Sequence, residues 1–193
     1  MKITFKSFIH QLYRRLFPEK LGAVWCLLIY GVIAIHPSPV YADEEAEYTL
    51  KAAFLYNFAI FTTWPTRSME NFNLCIYGKD PFGKNFDALM KTKRVYEKPV
   101  NIHRISDIDR LSQCQLVFIS RSMIGDLADI IATLADKPIL TVADSPEAAR
   151  KGVVINMNVT EDKVTFEANL LMAKKAELNL SSQLLRLATE VHQ

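Results

Sequence analysis

The sequence predicts a three-layer α/β domain: a mostly parallel sheet of about six strands, helices on both faces, and an antiparallel hairpin at one edge. Three observations predict it. Short apolar runs without a polar face, such as Phe72–Tyr77 (FNLCIY) and Leu116–Ile119 (LVFI), read as strands buried on both sides. Helical stretches alternate with them, as in a parallel sheet built from crossovers. The last two strands, at 153–159 and 164–168, are joined by the short turn Thr160-Glu-Asp-Lys163, which brings the chain straight back on itself.

Taken in order, the elements begin with a helix over 44–62. Leu50, Phe54, Phe58 and Phe61 recur at helical spacing, and Tyr48, Leu55 and Ile60 widen the stripe. So wide a stripe implies burial on more than one side, within the domain or against a partner. Its opening acids suit a helix N-terminus, and Trp64-Pro65 ends it. Strand 72–77 turns at Gly78 into a helix over 82–90. Strand 99–105, a short helix at 108–112, strand 116–119 and a helix over 124–135 follow. The latter carries Leu127, Ile130, Ile131 and Leu134 on one face. Strand 138–142, a helical turn at 145–150 and the hairpin complete the sheet. The tail, 170–191, reads as helical with a break near Leu180-Ser181, where a serine caps a final helix. In it Leu180, Leu184, Leu187, Ala188 and Val191 form one stripe, for packing on the sheet or for an interface.

Ahead of this domain lies a stretch of another kind. Residues 1–20 carry five basic side chains against the single acid Glu19, an apolar run fills 21–35, and Val40-Tyr41-Ala42 ends in small-x-small order. That is the sequence of parts in a secretory signal peptide. The rival, a membrane anchor, needs roughly 20 apolar residues, and this run is shorter and followed by two prolines. We therefore expect a signal peptide over 1–42, cut after Ala42, and a single domain over 43–193. The chain has 23 Lys+Arg and 21 Asp+Glu; without the leader 18 basic residues face 20 acidic ones. The mature part is then slightly acidic and its basic residues are scattered, so no nucleic-acid footprint is expected. Two cysteines remain, Cys75 and Cys114. Outside the cytosol such a pair is expected to be bonded, the alternative being two buried thiols.

The sequence offers no catalytic constellation. Gly78-Lys-Asp-Pro-Phe-Gly83-Lys84-Asn85 falls one residue short of a phosphate-binding P-loop. Asn85 lacks the magnesium-binding hydroxyl, and Pro81 removes an N–H from the cradle, so a turn into a helix is the better reading. A phospho-receiver domain would need an aspartate where the third strand ends in Ser120-Arg121. Asp80 and Asp144 each follow a strand; they read as helix caps, or else as the lining of a cleft near Gly78 and Asp144 at the sheet's carboxyl edge. No nucleophile elbow, H-E-x-x-H or cysteine/histidine cluster with zinc spacing occurs, and His103 and His192 are the mature part's two histidines. Neither a metal nor a cofactor is expected, and binding becomes a better expectation than catalysis.

Several segments together resemble the YfiR family of periplasmic proteins. They are Lys51-Ala-Ala-Phe-Leu-Tyr-Asn-Phe58 ahead of Trp64-Pro65, then Cys75 and Gly78-x-Asp80-Pro-Phe-Gly83, then Phe166-Glu-x-Asn169, and the ending Leu178-x-Leu180-Ser-Ser-x-Leu-Leu185-x-Leu-Ala188. The resemblance implies a periplasmic repressor that holds down an inner-membrane diguanylate cyclase by binding its periplasmic sensor domain. An OmpA-like, outer-membrane lipoprotein would release it, raising cyclic-di-GMP and biofilm formation. It further implies a homodimer, matches Cys75 and Cys114 to the family's structural disulfide, and places partner contacts at Ile155 and Glu167. Leu184 and Leu187, from the tail's apolar stripe, are further partner-binding candidates. A second cysteine pair of some members is missing, since 149–156 holds no cysteine. The competing expectation is a periplasmic small-molecule-binding protein or enzyme using the cleft near Gly78 and Asp144.

Overall fold

A computed structural model describes residues 40–65, 70–160 and 163–193. The expected leader falls almost wholly outside them. Among the described residues no helix is long and apolar enough to cross a membrane.

Helix α1 (Val40–Ile60) runs into the two-residue strand β1 (Thr62–Thr63). Then come β2 (Phe72–Tyr77), α2 (Lys84–Lys91), β3 (Arg94–Val95), β4 (Lys98–Ile105), a 3-10 helix (Ile108–Gln113) and β5 (Leu116–Ile119). A second 3-10 turn (Arg121–Asp126) leads into α3 (Leu127–Leu134) and β6 (Leu140–Ala143). The hairpin β7 (Ile155–Thr160) and β8 (Lys163–Asn169) is followed by α4 (Leu170–Lys175), β9 (Asn179–Leu180), α5 (Ser182–Leu185) and β10 (Glu190–His192).

Eight strands form one sheet in the order β10-β8-β7-β6-β5-β2-β4-β3. Its centre is parallel from β4 to β7, and β7 pairs antiparallel with β8, so the expected architecture holds. Three details differ from expectation. The hairpin lies one strand in from the edge, because β10 adds to β8 in parallel. The tail is not a helix broken once: it holds two short helices and two short strands, of which β9 pairs with β1. The 145–150 segment is a series of turns rather than a helix.

Alternation along the strands sends side chains to two cores. Phe72, Leu74 and Ile76 of β2 join Leu116, Phe118, Leu140, Val142, Ile155, Met157 and Phe166 beneath α1 and α2. On the opposite face Cys75, Tyr77, Val117 and Ile119 pack with the 3-10 helix residue Leu111 and with Leu127, Ile130 and Leu134 of α3. This is the period-2 consequence of a sheet covered on both sides. Phe58 of α1 meets Phe166 edge-on at 5.0 Å, and Phe82 stacks on Phe86 at 4.6 Å while meeting Phe118 at 4.9 Å. Aromatic pairs in such geometry add about 0.5–1.5 kcal/mol beyond burial. Cys75 and Cys114 are bonded, joining β2 to the residue two before β5 inside the second core.

Candidate functional site on the polar face of β7, β8 and β10

Strand order reverses between β2 and β5, which is where an α/β sheet ordinarily opens a ligand crevice at its carboxyl edge. Beside Gly78 that edge is closed. Gly78, at φ +96°, has no room for a side chain: a Cβ would lie 2.4 Å from Met123 Cγ and 2.6 Å from Ser122 Oγ. Lys79 N donates to Ser122 Oγ, and Ser120 N to the Tyr77 carbonyl. The P-loop lookalike is a turn, with Asp80 Oδ1 accepting from Phe82 N and its other oxygen held by Arg104. Arg104 also grips Asp87 of α2 with two parallel hydrogen bonds of 3.0 Å, so it ties α2 to β4.

Asp144, after β6, does not cap a helix. Its side chain is enclosed, and Oδ2 takes three partners: Lys51 Nζ at 2.6 Å, Tyr48 Oη at 3.0 Å and Arg121 at 3.2 Å. Lys51, on α1, is itself completely buried and also contacts Glu47, one helical turn earlier. Burial of a lone charge is prohibitive, and this cluster balances two acids with two bases. Burial first, and then the adjacent Asp144 carboxylate, raise the Tyr48 phenol well above its ordinary pKa. The cluster fastens α1 to the sheet. The sequence reading missed it because Lys51 sits unobtrusively beside Leu50; the signal was a basic residue inside an otherwise apolar stripe.

From there a polar thread crosses to the other end of the sheet. Ser145 N donates to Asn156 Oδ1, Asn156 Nδ2 to Asn158 Oδ1 at 3.0 Å, and Asn158 Nδ2 to Glu167 Oε1 at 2.7 Å. Glu167 Oε2 lies 3.2 Å from His192 Nε2, and His192 Nδ1 lies 3.4 Å from Glu190 Oε1. Arg150 then approaches Glu190 at 3.4 Å. The cause is again strand alternation. Ile155, Met157, Phe166 and Ala168 turn to the first core, so Asn156, Asn158 and Glu167 share the other face. Glu190 and His192 of β10 stand opposite Glu167 and Asn169 in the ladder. Beyond Asn156 and Asn169, which are buried, this face is partly or fully exposed and carries hydrogen-bonding groups of both kinds. It can bind; it contains no activated nucleophile.

The predicted site residues divide sharply. Cys75 and Cys114 are brought together. Glu167 lies on the polar face, and Leu187 is 68% exposed. Ile155 and Leu184, by contrast, are enclosed in the first core at 0% and 2% exposure, so neither offers surface to a partner. Asn158, Glu190, His192 and Arg150 were not singled out by sequence. Their proximity depends on the parallel docking of β10, which no local pattern announces.

No curated protein matches the sequence. Among solved structures, the chain is similar to one described as the ABC domain in complex with L-Trp from Streptococcus pneumonia. That likeness has a TM-score of 0.52 and 7% identity, over 72% of this chain and 60% of that one. A conserved domain protein from Vibrio cholerae o1 biovar eltor aligns with a TM-score of 0.46 and 6% identity, over 62% and 54% of the two chains. The first likeness shows the α/β fold, and the chain spans less than two thirds of that structure's length. A family model described as YfiR/HmsC-like matches residues 48–189, which takes in both cores, the disulfide, and most of the buried ion cluster and of the polar face. The chain belongs to the YfiR/HmsC-like family, whose members are periplasmic regulators in cyclic-di-GMP signalling.

Proposed function

We propose that the exported domain represses an inner-membrane diguanylate cyclase by binding its periplasmic sensor domain, and that an OmpA-like outer-membrane lipoprotein releases it. Beside family membership, the observation that carries this reading is Glu167. Its carboxylate is held in place by Asn158 on a half-exposed stretch of the sheet, next to exposed Glu190. A pre-positioned polar face suits recognition of another protein, while the crevice a small substrate would use is filled by Ser122 and Met123. The protein acts without catalysis. It binds one state of the cyclase more tightly than the other, and the lipoprotein removes that bias by competition.

Self-association belongs to the same proposal. Ala46, Leu50, Ala53 and Ile60 lie along the outer side of α1, all exposed, on a helix whose opposite side is already buried. We place the homodimer contact there. Leu50→Asp is expected to yield a monomer in sedimentation equilibrium; an unchanged dimer would move the contact elsewhere.

One observation favours a second reading. Asp144 Oδ1 and Ser145 Oγ are buried without a hydrogen-bond partner among the described residues, so a small polar molecule at the sheet edge would find two waiting groups. Calorimetric titration of the purified exported protein with the cyclase's periplasmic domain decides between them. Repression predicts saturable binding that weakens at least tenfold in Glu167→Lys. No binding, or equal affinity of that variant, would overturn the proposal.

A further inference from the structure

We propose that Glu167, Glu190 and His192 form a divalent-cation site, suited to zinc, that clamps β10 onto β8. The site is defined by geometry and does not depend on which protein partner the domain binds. One ligand atom from each of the three side chains can be chosen so that all lie within 4.8 Å of one another. His192 Nε2 is 3.2 Å from Glu167 Oε2, while Glu190 Oε1 lies 3.4 Å from the other ring nitrogen, Nδ1, so one ion bound through Nε2 takes the Glu190 carboxylate by a turn of that side chain or of the ring. Ligands about 2.0–2.2 Å from a tetrahedral zinc are separated by about 3.4 Å, so the three side chains close on the ion by rotation from the 4.8 Å within which they already stand.

The donor set favours a transition metal such as zinc over calcium or magnesium. One imidazole nitrogen and two carboxylate oxygens make a three-ligand, open zinc site in which water takes the fourth position. Calcium wants six to eight oxygens and magnesium a full octahedron, neither of which this edge supplies. Glu167 is also held from behind: Asn158 donates to its Oε1 at 2.7 Å, leaving Oε2 toward His192. Such outer support is what fixes a metal ligand's orientation.

The strand register points the same way independently. Glu190 is the direct ladder partner of Glu167, which puts two carboxylates side by side on one face of a parallel pair. Like charges so placed destabilise a sheet. His192 stands between the two carboxylates. Arg150, the one other cation paired here among the described residues, reaches only Glu190, from 3.4 Å and with its own side chain largely in water, where an ion pair contributes little. A dication between the two carboxylates removes the repulsion and ties a three-residue strand to its neighbour. The site departs from the sequence expectation of no metal because its ligands come from two strands, so no spacing along the chain reveals it.

The test is a titration of the purified exported protein, first stripped with a chelator, against zinc chloride in competition with a chromophoric zinc indicator. One equivalent is expected to bind, with affinity reduced at least tenfold in His192→Ala and in Glu167→Gln and unchanged in His103→Ala. Zinc is expected to raise the melting temperature of the wild type and not of the first two variants, whose folding is verified by circular dichroism. Calcium at the same concentration should leave it unmoved. Less than one equivalent bound, or equal binding by His192→Ala, would overturn the site.

Discussion

Lys51 Nζ lies 2.6 Å from Asp144 Oδ2 although neither side chain reaches solvent: an ammonium from the first helix and a carboxylate from the sheet edge meet inside the domain. Removing one partner leaves the other charged and buried. Asp144→Asn or Lys51→Met should therefore each cost about 3–5 kcal/mol in urea unfolding. Replacing both, as Lys51→Met with Asp144→Leu, should cost less than the two single changes together. Additive losses would show that the two residues act independently.

Tyr48 shares the same carboxylate, and the sign of its pH effect follows from that. Folding raises the phenol's pKa, through burial first and Asp144 next. Its contribution is thus present in full below about pH 10, the ordinary tyrosine value, and is lost as the pH climbs toward the folded value. Melting temperature should fall more steeply between about pH 9.5 and 11 in the wild type than in Tyr48→Phe. At neutral pH that variant should be about 1–3 kcal/mol less stable, having lost a hydrogen bond to a charged group. Parallel melting curves across the alkaline range would contradict this.

The Cys75–Cys114 bond closes a 39-residue separation. The chain-entropy model assigns such a loop about 4 kcal/mol. Replacing both cysteines by alanine should lower the unfolding free energy by about that amount and leave the fold recognisable. Both cysteines are buried, so a mild reductant should leave the native bond intact until the protein is unfolded. Rapid reduction of the folded protein would show that the bond is open to redox regulation.

How far the sequence reaches is clear from individual elements. β2 and β5 were legible because an unbroken apolar run too short for a helix fits a strand buried on both faces, and the hairpin because its turn is short. The tail was not. Leu180, Leu184, Leu187 and Val191 keep helical spacing, yet Leu180 pairs with Thr62 across the chain, Ser181 caps a fresh turn at Leu184, and Val191 joins β8. Tertiary pairing overrides the local period there. The site was half legible for the same reason. The resemblance pointed to Glu167, whereas Glu190 and His192 reach it only through a parallel edge strand. Ile155 carried the same expectation but lies on the other face of its strand, a distinction set by register rather than by composition.

Location is part of the proposed mechanism, because the domain must meet the cyclase on the far side of the inner membrane. The most direct test measures cyclic-di-GMP in cells lacking the gene and in cells complemented with either of two copies. Deletion should raise cyclic-di-GMP severalfold, the full-length chain should restore the low level, and a copy lacking residues 2–42 should fail despite equal abundance. Unchanged cyclic-di-GMP on deletion, or full restoration by the copy without residues 2–42, would contradict periplasmic repression.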